Sequence, residues 1–281
     1  IDLMAGPWLV REKIMPRAKG APVRLRTYFP RDLDAISGLA DGYLDDTRRY
    51  LELYGEEIGA YPFTEFSVVA SPLPTGFGMP TLTYIGAEVL KLPFIRATSL
   101  GHEVLHNWWG NGVYVDYAKG NWSEGLTTFM ADYAFRERES GAAARAMRLA
   151  WLRDFAAVPA GDTESLAAFR SRTHGAAAAV GYGKSAMVFV MLRDAIGEDA
   201  FRRGVRAFWE EHRFTPASWS ELQAAFEQAA GRSLAPFFGQ WLDRAGGPAV
   251  RITHAGAKTE AGKVRLTLTV EQQAPAYTLR L

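Results

Sequence analysis

The chain has 281 residues, 48% of them hydrophobic and 22% charged, which is enough apolar material for one large domain or two modest ones. Its 32 basic and 31 acidic residues are interspersed and leave a formal net charge of +1, so no electrostatic footprint for nucleic acid or an anionic membrane surface is visible. The lack of cysteine excludes disulfides and thiolate metal sites and leaves His, Asp and Glu to hold any transition metal.

The opening IDLMAGPWLVREK has no initiator Met and no basic region leading into a long apolar run, so it does not read as a signal peptide. The chain is expected to be processed or cut from something longer. Residues 1 to about 30 read as strands, with VRLRTYF alternating through Val23, Leu25, Thr27 and Phe29 between Gly/Pro punctuation. Residues 33–58 predict a helix, with Ile36, Leu39, Tyr43, Leu44, Leu51 and Tyr54 near a 3.6-residue period. FSVVASP and TLTYIG predict two short strands bracketing a Pro/Gly loop over residues 72–80. TLTYIG, if exposed at a sheet edge, could pair with an extended peptide.

From Phe94 the pattern is helical for about 150 residues. The first helix carries GHEVLHNWWGN and is expected to stop at Gly110-Asn111; the next is expected to start near Ser123 as N-cap and to run through EGLTTFMADYAFRERE. ARAMRLAWLRDF, YGKSAMVFVMLRDAI and EDAFRRGVRAFWEEH follow, then SWSELQAAFEQAAG, with Ser218 and Glu221 as a capping box and Gly231 at the stop. The longest apolar run, AMVFVML, is too short to span a bilayer. After Arg244 to Pro248 alternation returns in KVRLTLTV, which suggests a small β module from near residue 249.

The chemistry concentrates in GHEVLHNWWGN. Residues at i and i+4 of an α-helix lie about 40° apart around the axis, so His102 and His106 can aim at one point. Glu103 lies about 60° further round, able to reach a ligand of the ion without binding the ion itself. This is the His-Glu-x-x-His pattern, two ligands and a general base on one helix. A catalytic zinc needs a third protein ligand and an open position, and Glu124, in NWSEG at the start of the next predicted helix, is the best candidate. Trp108 and Trp109 read as packing residues. His174, His212 and His254 lack ligand spacing and read as surface or hydrogen-bonding residues. Gly76 and Gly78 fit two roles, plain turn glycines or backbone approaching a substrate.

HEVLHNWWGN followed by NWSEGLTTF resembles the zinc aminopeptidases typified by aminopeptidase N and leukotriene hydrolase, within the gluzincin group. The similarity covers most of the chain. Residues 33–70 resemble the family's long helix leading to a strand, GYGKSAMVFVMLRDAIGEDAF the stretch with its catalytic tyrosine, and FFGQWLDRAGGP the end of its catalytic domain. The resemblance implies one zinc ion held by His102, His106 and Glu124, with Glu103 as general base on a zinc-bound water. It makes Tyr182 the residue that stabilises the transition state and puts Gly78 and Met79 in the substrate-binding segment. It also implies an α+β, thermolysin-like fold, a small mixed sheet beside a mostly helical lobe, over residues 21–248. Residues 1–20 would be the remnant of an N-terminal β domain and residues 249–281 the start of a β-sandwich-like module.

Three departures stand out. Seventeen residues separate His106 from Glu124, where the family usually has eighteen. Seven residues after the glutamate, where the family often has an acid supporting a zinc-bound histidine, stands Ala131, with Asp132 one step on. The family's Gly-Ala-Met-Glu-Asn segment corresponds here to TGFGMPTLTYIG, which keeps Gly78 and Met79 but lacks the glutamate that holds the substrate's amino group. The expected function is a zinc metallopeptidase, an aminopeptidase acting on a peptide or protein substrate alongside flanking β domains, with no nucleic-acid partner and no transmembrane segment. The alternatives are an endopeptidase or specialised hydrolase with the same zinc chemistry, or an inactive zinc-bearing peptide-binding scaffold.

Overall fold

The computed structural model describes residues 4–74, 76–172 and 175–279; Thr75 and His174 lie outside these. Alternation makes the first strands. β1 (Leu9–Met15) and β2 (Val23–Phe29) pair antiparallel, and β2 buries Val23, Leu25, Thr27 and Phe29 while Arg24 and Arg26 face the other way. The helix predicted over residues 33–58 is broken in two, α1 (Arg31–Asp34) and α2 (Leu39–Glu57). The break falls at Gly38, whose φ of +71° suits a residue without Cβ and ends any continuous helix.

α2 does more than cover the sheet. Its Tyr43, Tyr50 and Tyr54 hydroxyls donate in turn to the carbonyls of Leu90, Arg96 and Gly101, at 2.9, 2.9 and 3.1 Å. These bonds tie the long connection leading to the His-Glu-x-x-His segment onto one rigid helix.

β3 (Glu65–Ser71) runs parallel to β2, and the sheet is completed by β4 (Gly76–Met79) and β5 (Leu82–Gly86) in the order β1-β2-β3-β5-β4. Two expectations are corrected here. Part of the stretch read as a loop is a strand, and TLTYIG is interior, because β4 folds back antiparallel along β5 and takes the edge. A four-residue strand, Gly-Phe-Gly-Met, has no alternation to betray it.

α3 (Ala87–Leu90) and α4 (Ser99–Leu105) follow. α4 stops five residues short of the expected end, with His106 as C-cap, because the chain turns Trp108 and Trp109 fully into the core before Gly110 at φ +107°. The Trp109 ring packs on Trp122, Phe208 and Trp209, the packing role expected of it. β6 (Tyr114–Val115) pairs with β7 (Pro216–Ala217), and α5 (Ser123–Thr127) begins between them in sequence. Ser123 is not the N-cap: it is the first helical residue, and its N–H and O–H both donate to Asn121 Oδ1 at 3.0 and 2.9 Å.

α5 passes through a π-turned segment, Thr128–Tyr133, into α6 (Ala134–Glu139), and α7 (Gly141–Ala156) follows. α8 (Gly175–Ala178), a second π-turned segment over Ala179–Lys184 and α9 (Ser185–Ile196) form one unbroken helix. By length and composition this helix could cross a membrane, which the seven-residue apolar run did not suggest; more than half of it is buried inside the protein, as a core helix is. α10 (Glu198–His212), α11 (Trp219–Ala230) and α12 (Ala235–Leu242) complete the helical lobe, with the predicted Ser218/Glu221 capping box in place.

β8 (Val250–Glu260) and β9 (Lys263–Gln272) form a hairpin whose turn residues Ala261 and Gly262 both have positive φ, the primed geometry that matches strand twist. One face carries Ile252 opposite Val270 and Leu266 opposite Ala257, largely exposed; the other carries Arg251 opposite Glu271. The chain then returns to α12, where the Tyr277 ring packs at a tilt against Trp241 and lies beneath the Arg244 guanidinium.

The end of the helical lobe is fastened by a buried cation. Lys184 is 8% exposed, donates to the Arg244 carbonyl at 2.8 Å and faces the Phe155 ring at 5.7 Å. Burial pushes its pKa down to about 8, against roughly 10.4 for an unfolded lysine. Between those values the unfolded chain binds more protons than the native one, so the unfolding free energy rises with pH through this window. We expect the parent chain to gain about 1–3 kcal/mol relative to Lys184→Met between pH 7 and pH 10, measured by chemical denaturation. A difference between the two that stays flat across the window contradicts the assignment.

Candidate metal centre

α4 carries His102 and Glu103 in its last turn, and His106 follows as its cap. Glu124 comes from the first turn of α5. The two imidazole rings lie 4.9 Å apart, centre to centre, and nearly perpendicular. Glu124 Oε2 sits 3.6 Å from His102 Nε2 and 3.5 Å from His106 Nε2, and one ligand atom from each of the three residues lies within 4.8 Å of the others. It is the one such group among the described residues. These are the three residues, and the two elements, that the sequence singled out as candidate ligands.

Both rings are oriented from behind. His102 Nδ1 lies 2.6 Å from Asp132 Oδ2, and His106 Nδ1 lies 2.9 Å from the Trp109 carbonyl. An Nδ1–H donated outward on each ring leaves both Nε2 lone pairs facing Glu124. Burial disfavours the imidazolium of His102, yet Asp132 outweighs it and holds the ring's pKa well above the usual histidine range. Burial likewise works against the Glu124 carboxylate, and the two histidines overcome it, keeping that carboxyl far below the ordinary range.

This donor set fits a zinc ion. Metal–ligand bonds of about 2.0–2.1 Å at tetrahedral angles put neighbouring ligand atoms about 3.4 Å apart, close to the Nε2–Oε2 separations here. Glu124 Oε2 is buried and accepts no hydrogen bond, a penalty that a cation at the shared point would remove.

The acid behind His102 stands where the sequence left it in doubt. Ala131, seven residues after Glu124, is buried, and Asp132 takes the supporting position. The reason is the π-turned segment Thr128–Tyr133, which contains one more residue per turn than an α-helix and so carries Asp132 round to the face that residue 131 would occupy. The spacing itself held a signal, one residue fewer than usual before Glu124 and one more after it.

Glu103 is half-buried, and burial raises its pKa against the opposing pull of His102 and His106. The Tyr182 ring lies nearly parallel to His102 at 6.4 Å; burial, and then the charge of Glu124, push its phenol up. Gly78 and Met79 lie on β4, which crosses directly over the motif. A Cβ on Gly78 would stand 2.9 Å from Glu103 Oε2 and 3.1 Å from His106 Cβ, and one on Gly76 would stand 3.5 Å from Glu103 Oε1. Two further residues contact β4 and its turn: Asn107, which the sequence did not single out, and Asn111, read there only as part of the helix stop.

A His-Glu-x-x-His helix and the helix after it, converging on one point between a small mixed sheet and a helical lobe, define the gluzincin class of zinc metallopeptidase. The sequence profile described as the Peptidase family M1 domain matches residues 96–241, more than half of the chain, and the chain belongs to that family. It is 28% identical to aminopeptidase N of Escherichia coli K12 over 298 residues, covering 98% of this chain and 32% of that protein. It is 25% identical to aminopeptidase N of Streptomyces lividans over 266 residues, 84% of this chain and 29% of that one. Among solved structures it resembles a Deinococcus radiodurans M1 zinc metallopeptidase variant bound to a Tyr-Ser-Ala substrate. The TM-score is 0.64 and the identity 22%, over 83% of this chain and 52% of that one. A two-domain M1 zinc metallopeptidase variant bound to L-arginine gives a TM-score of 0.67 at 22% identity, over 85% and 52%. The chain thus spans about a third of these curated relatives and about half of these solved chains.

If Asp132 supports His102 as a metal ligand, Asp132→Asn should weaken zinc binding about 10- to 100-fold in a competition titration while the far-UV spectrum stays that of the parent. Unchanged affinity would remove Asp132 from the metal centre.

Proposed function

We propose that this chain is the catalytic portion of a zinc-dependent peptidase of the aminopeptidase type, with His102, His106 and Glu124 as zinc ligands, Glu103 as general base and Tyr182 as transition-state donor. The observation that carries this reading is the meeting of three ligand atoms within 4.8 Å, beside a carboxylate that takes no part in holding the ion. Zinc held there would acidify a bound water and polarise the scissile carbonyl.

The chain's own residues do the rest. Glu103, its proton affinity raised by burial, takes a proton at a carboxylate oxygen and returns it to the departing amine. The Tyr182 phenol stays protonated at working pH and can donate to an oxyanion. β4, at the sheet edge over Glu103, offers backbone groups to an extended peptide.

One observation favours a second reading. Among the described residues, β4 and its turn carry no carboxylate; the acids beside the cleft are Glu103, Glu124 and Asp132, each with a task already. A free ammonium in that cleft would lack a dedicated partner, which suits internal peptide bonds or blocked termini.

With zinc bound, Glu103→Gln should keep the metal and lose about 10²- to 10⁴-fold in kcat, assayed on a free-amine peptide and its N-acetylated twin. Cleavage of the free-amine peptide alone fits the aminopeptidase; cleavage of both moves the assignment to an endopeptidase. A zinc-loaded chain that cuts neither counts against the reading. Tyr182→Phe should fold normally and lose about 3 kcal/mol of transition-state stabilisation, roughly 10²-fold in kcat. An unaltered rate would strike this tyrosine from the mechanism.

A further inference from the structure

The turn between β4 and β5 holds a residue in a conformation that its side chain opposes. Pro80 and Thr81 are its two central residues, and Thr81 has φ +67°. A proline followed by a positive φ is the pattern of a type II turn, whose third position ordinarily belongs to glycine or asparagine. A β-branched residue there is a true outlier, and such residues persist when their surroundings over-determine them.

The surroundings are two asparagines just past the metal-site helix. Thr81 N–H donates to Asn107 Oδ1 at 2.9 Å, and Thr81 O accepts from Ser67 N–H at 2.9 Å. Asn107 is fully buried; its Oδ1 also accepts from the Tyr61 hydroxyl at 3.3 Å, and its Nδ2 donates to the Val104 carbonyl at 3.0 Å. Asn111 Nδ2 donates to the Gly78 carbonyl at 3.3 Å, and Asn111 N–H donates to His106 O at 3.0 Å. Between these two ties, β4 comes so near the helix that a methyl group on Gly78 would meet Glu103 and His106 together.

We propose that Asn107 is a positioning residue: by holding Thr81 in its left-handed turn, it sets the height of β4 over the Glu103 carboxylate, with Asn111 as the second tie. This rests on the reading of Glu103 as general base. β4 can neither sink toward the helix, where Glu103 blocks it, nor lift while Thr81 and Gly78 stay bonded to the asparagines. Asn107 therefore acts on the reaction through the strand rather than by touching substrate.

The test is a double-mutant cycle in the full chain, Asn107→Ala with Thr81→Gly, read as thermal midpoint, zinc affinity and kcat. Thr81→Gly alone should raise the midpoint by a few degrees, since glycine meets no penalty at this φ. Asn107→Ala should lower kcat about 10-fold or more, through a strand displaced over the base, with zinc affinity held within about 3-fold. In the Thr81→Gly background that loss should shrink to about 3-fold or less, because the turn no longer needs to be held. Equal losses in both backgrounds, or zinc affinity falling together with kcat, make Asn107 an ordinary core residue and overturn the proposal. Where Asn107→Ala does not fold, Asn107→Ser carries the same cycle: its hydroxyl can still donate to the carbonyl three residues back but stops short of Thr81. Coupling in the thermal midpoint together with no hydrolysis by the zinc-loaded parent leaves the tie standing and sinks the peptidase reading. Hydrolysis by the parent with additive losses sinks the tie alone.

Discussion

Three carboxylates and two imidazoles crowd the space between β4, α4 and α5, and the placement of their charges governs the architecture around them. Glu124 Oε2 has no hydrogen-bond donor although it is buried, Glu103 stands beside both histidines, and Asp132 presses on His102 from behind. Packed this way without a cation, the group would carry more negative charge than a half-buried cleft tolerates. A dication at the focus of the two Nε2 atoms and Oε2 resolves the imbalance. The outward hydrogen bonds from Nδ1 to Asp132 and Trp109 then read as devices that keep the focus aimed.

The same requirement explains the scaffold beneath. A ligand set drawn from two helices is only as precise as their mutual placement. α4 has seven residues, too few to be stable alone, and Glu124 stands in the first turn of the helix that α5 opens. Their positions are imposed by the tyrosine ladder of α2, which grips the carbonyls leading into α4, and by the Trp109–Trp122–Phe208 cluster beneath both. Trp108 and Trp109, two and three residues past His106, are the price of a helix that must stop where its second histidine stands.

The site was more legible than the fold that carries it. His102, Glu103 and His106 declare themselves because one helical turn fixes their relative directions, and Glu124 follows from the need for a third donor on the next element. Where sequence reading failed, it did so through backbone events that leave no periodic trace. Gly38 splits a helix whose apolar pattern runs on either side, and β4 is too short and glycine-rich to alternate. Ser123 is the first residue of α5 and not its cap; it donates to Asn121 Oδ1, and Trp122, a residue type with no capping preference, holds the N-cap position. The supporting acid was the hardest case. Reading Ala131 at its position assumed an α-helical turn, and the single π-turn that brings Asp132 into place adds no residue type that announces it.

That π-turn also bears on how such a site tolerates change. The connection from His106 to Glu124 is one residue shorter than the family's usual length, and the stretch from Glu124 to the supporting acid is one residue longer. The connection between His106 and Glu124 includes the exposed turn Tyr117 to Lys119, and in such a surface segment a lost residue costs little. The lengthening falls inside a helix packed against α4 and α9, where an inserted residue would rotate every later side chain by about 100° unless it is confined to one widened turn. Confinement keeps Tyr133 and Phe129 in the core while Asp132, and not its neighbour, meets His102. The chemistry constrains three ligand atoms and the groups behind them, and the chain between is free to vary wherever a local backbone device can restore their aim.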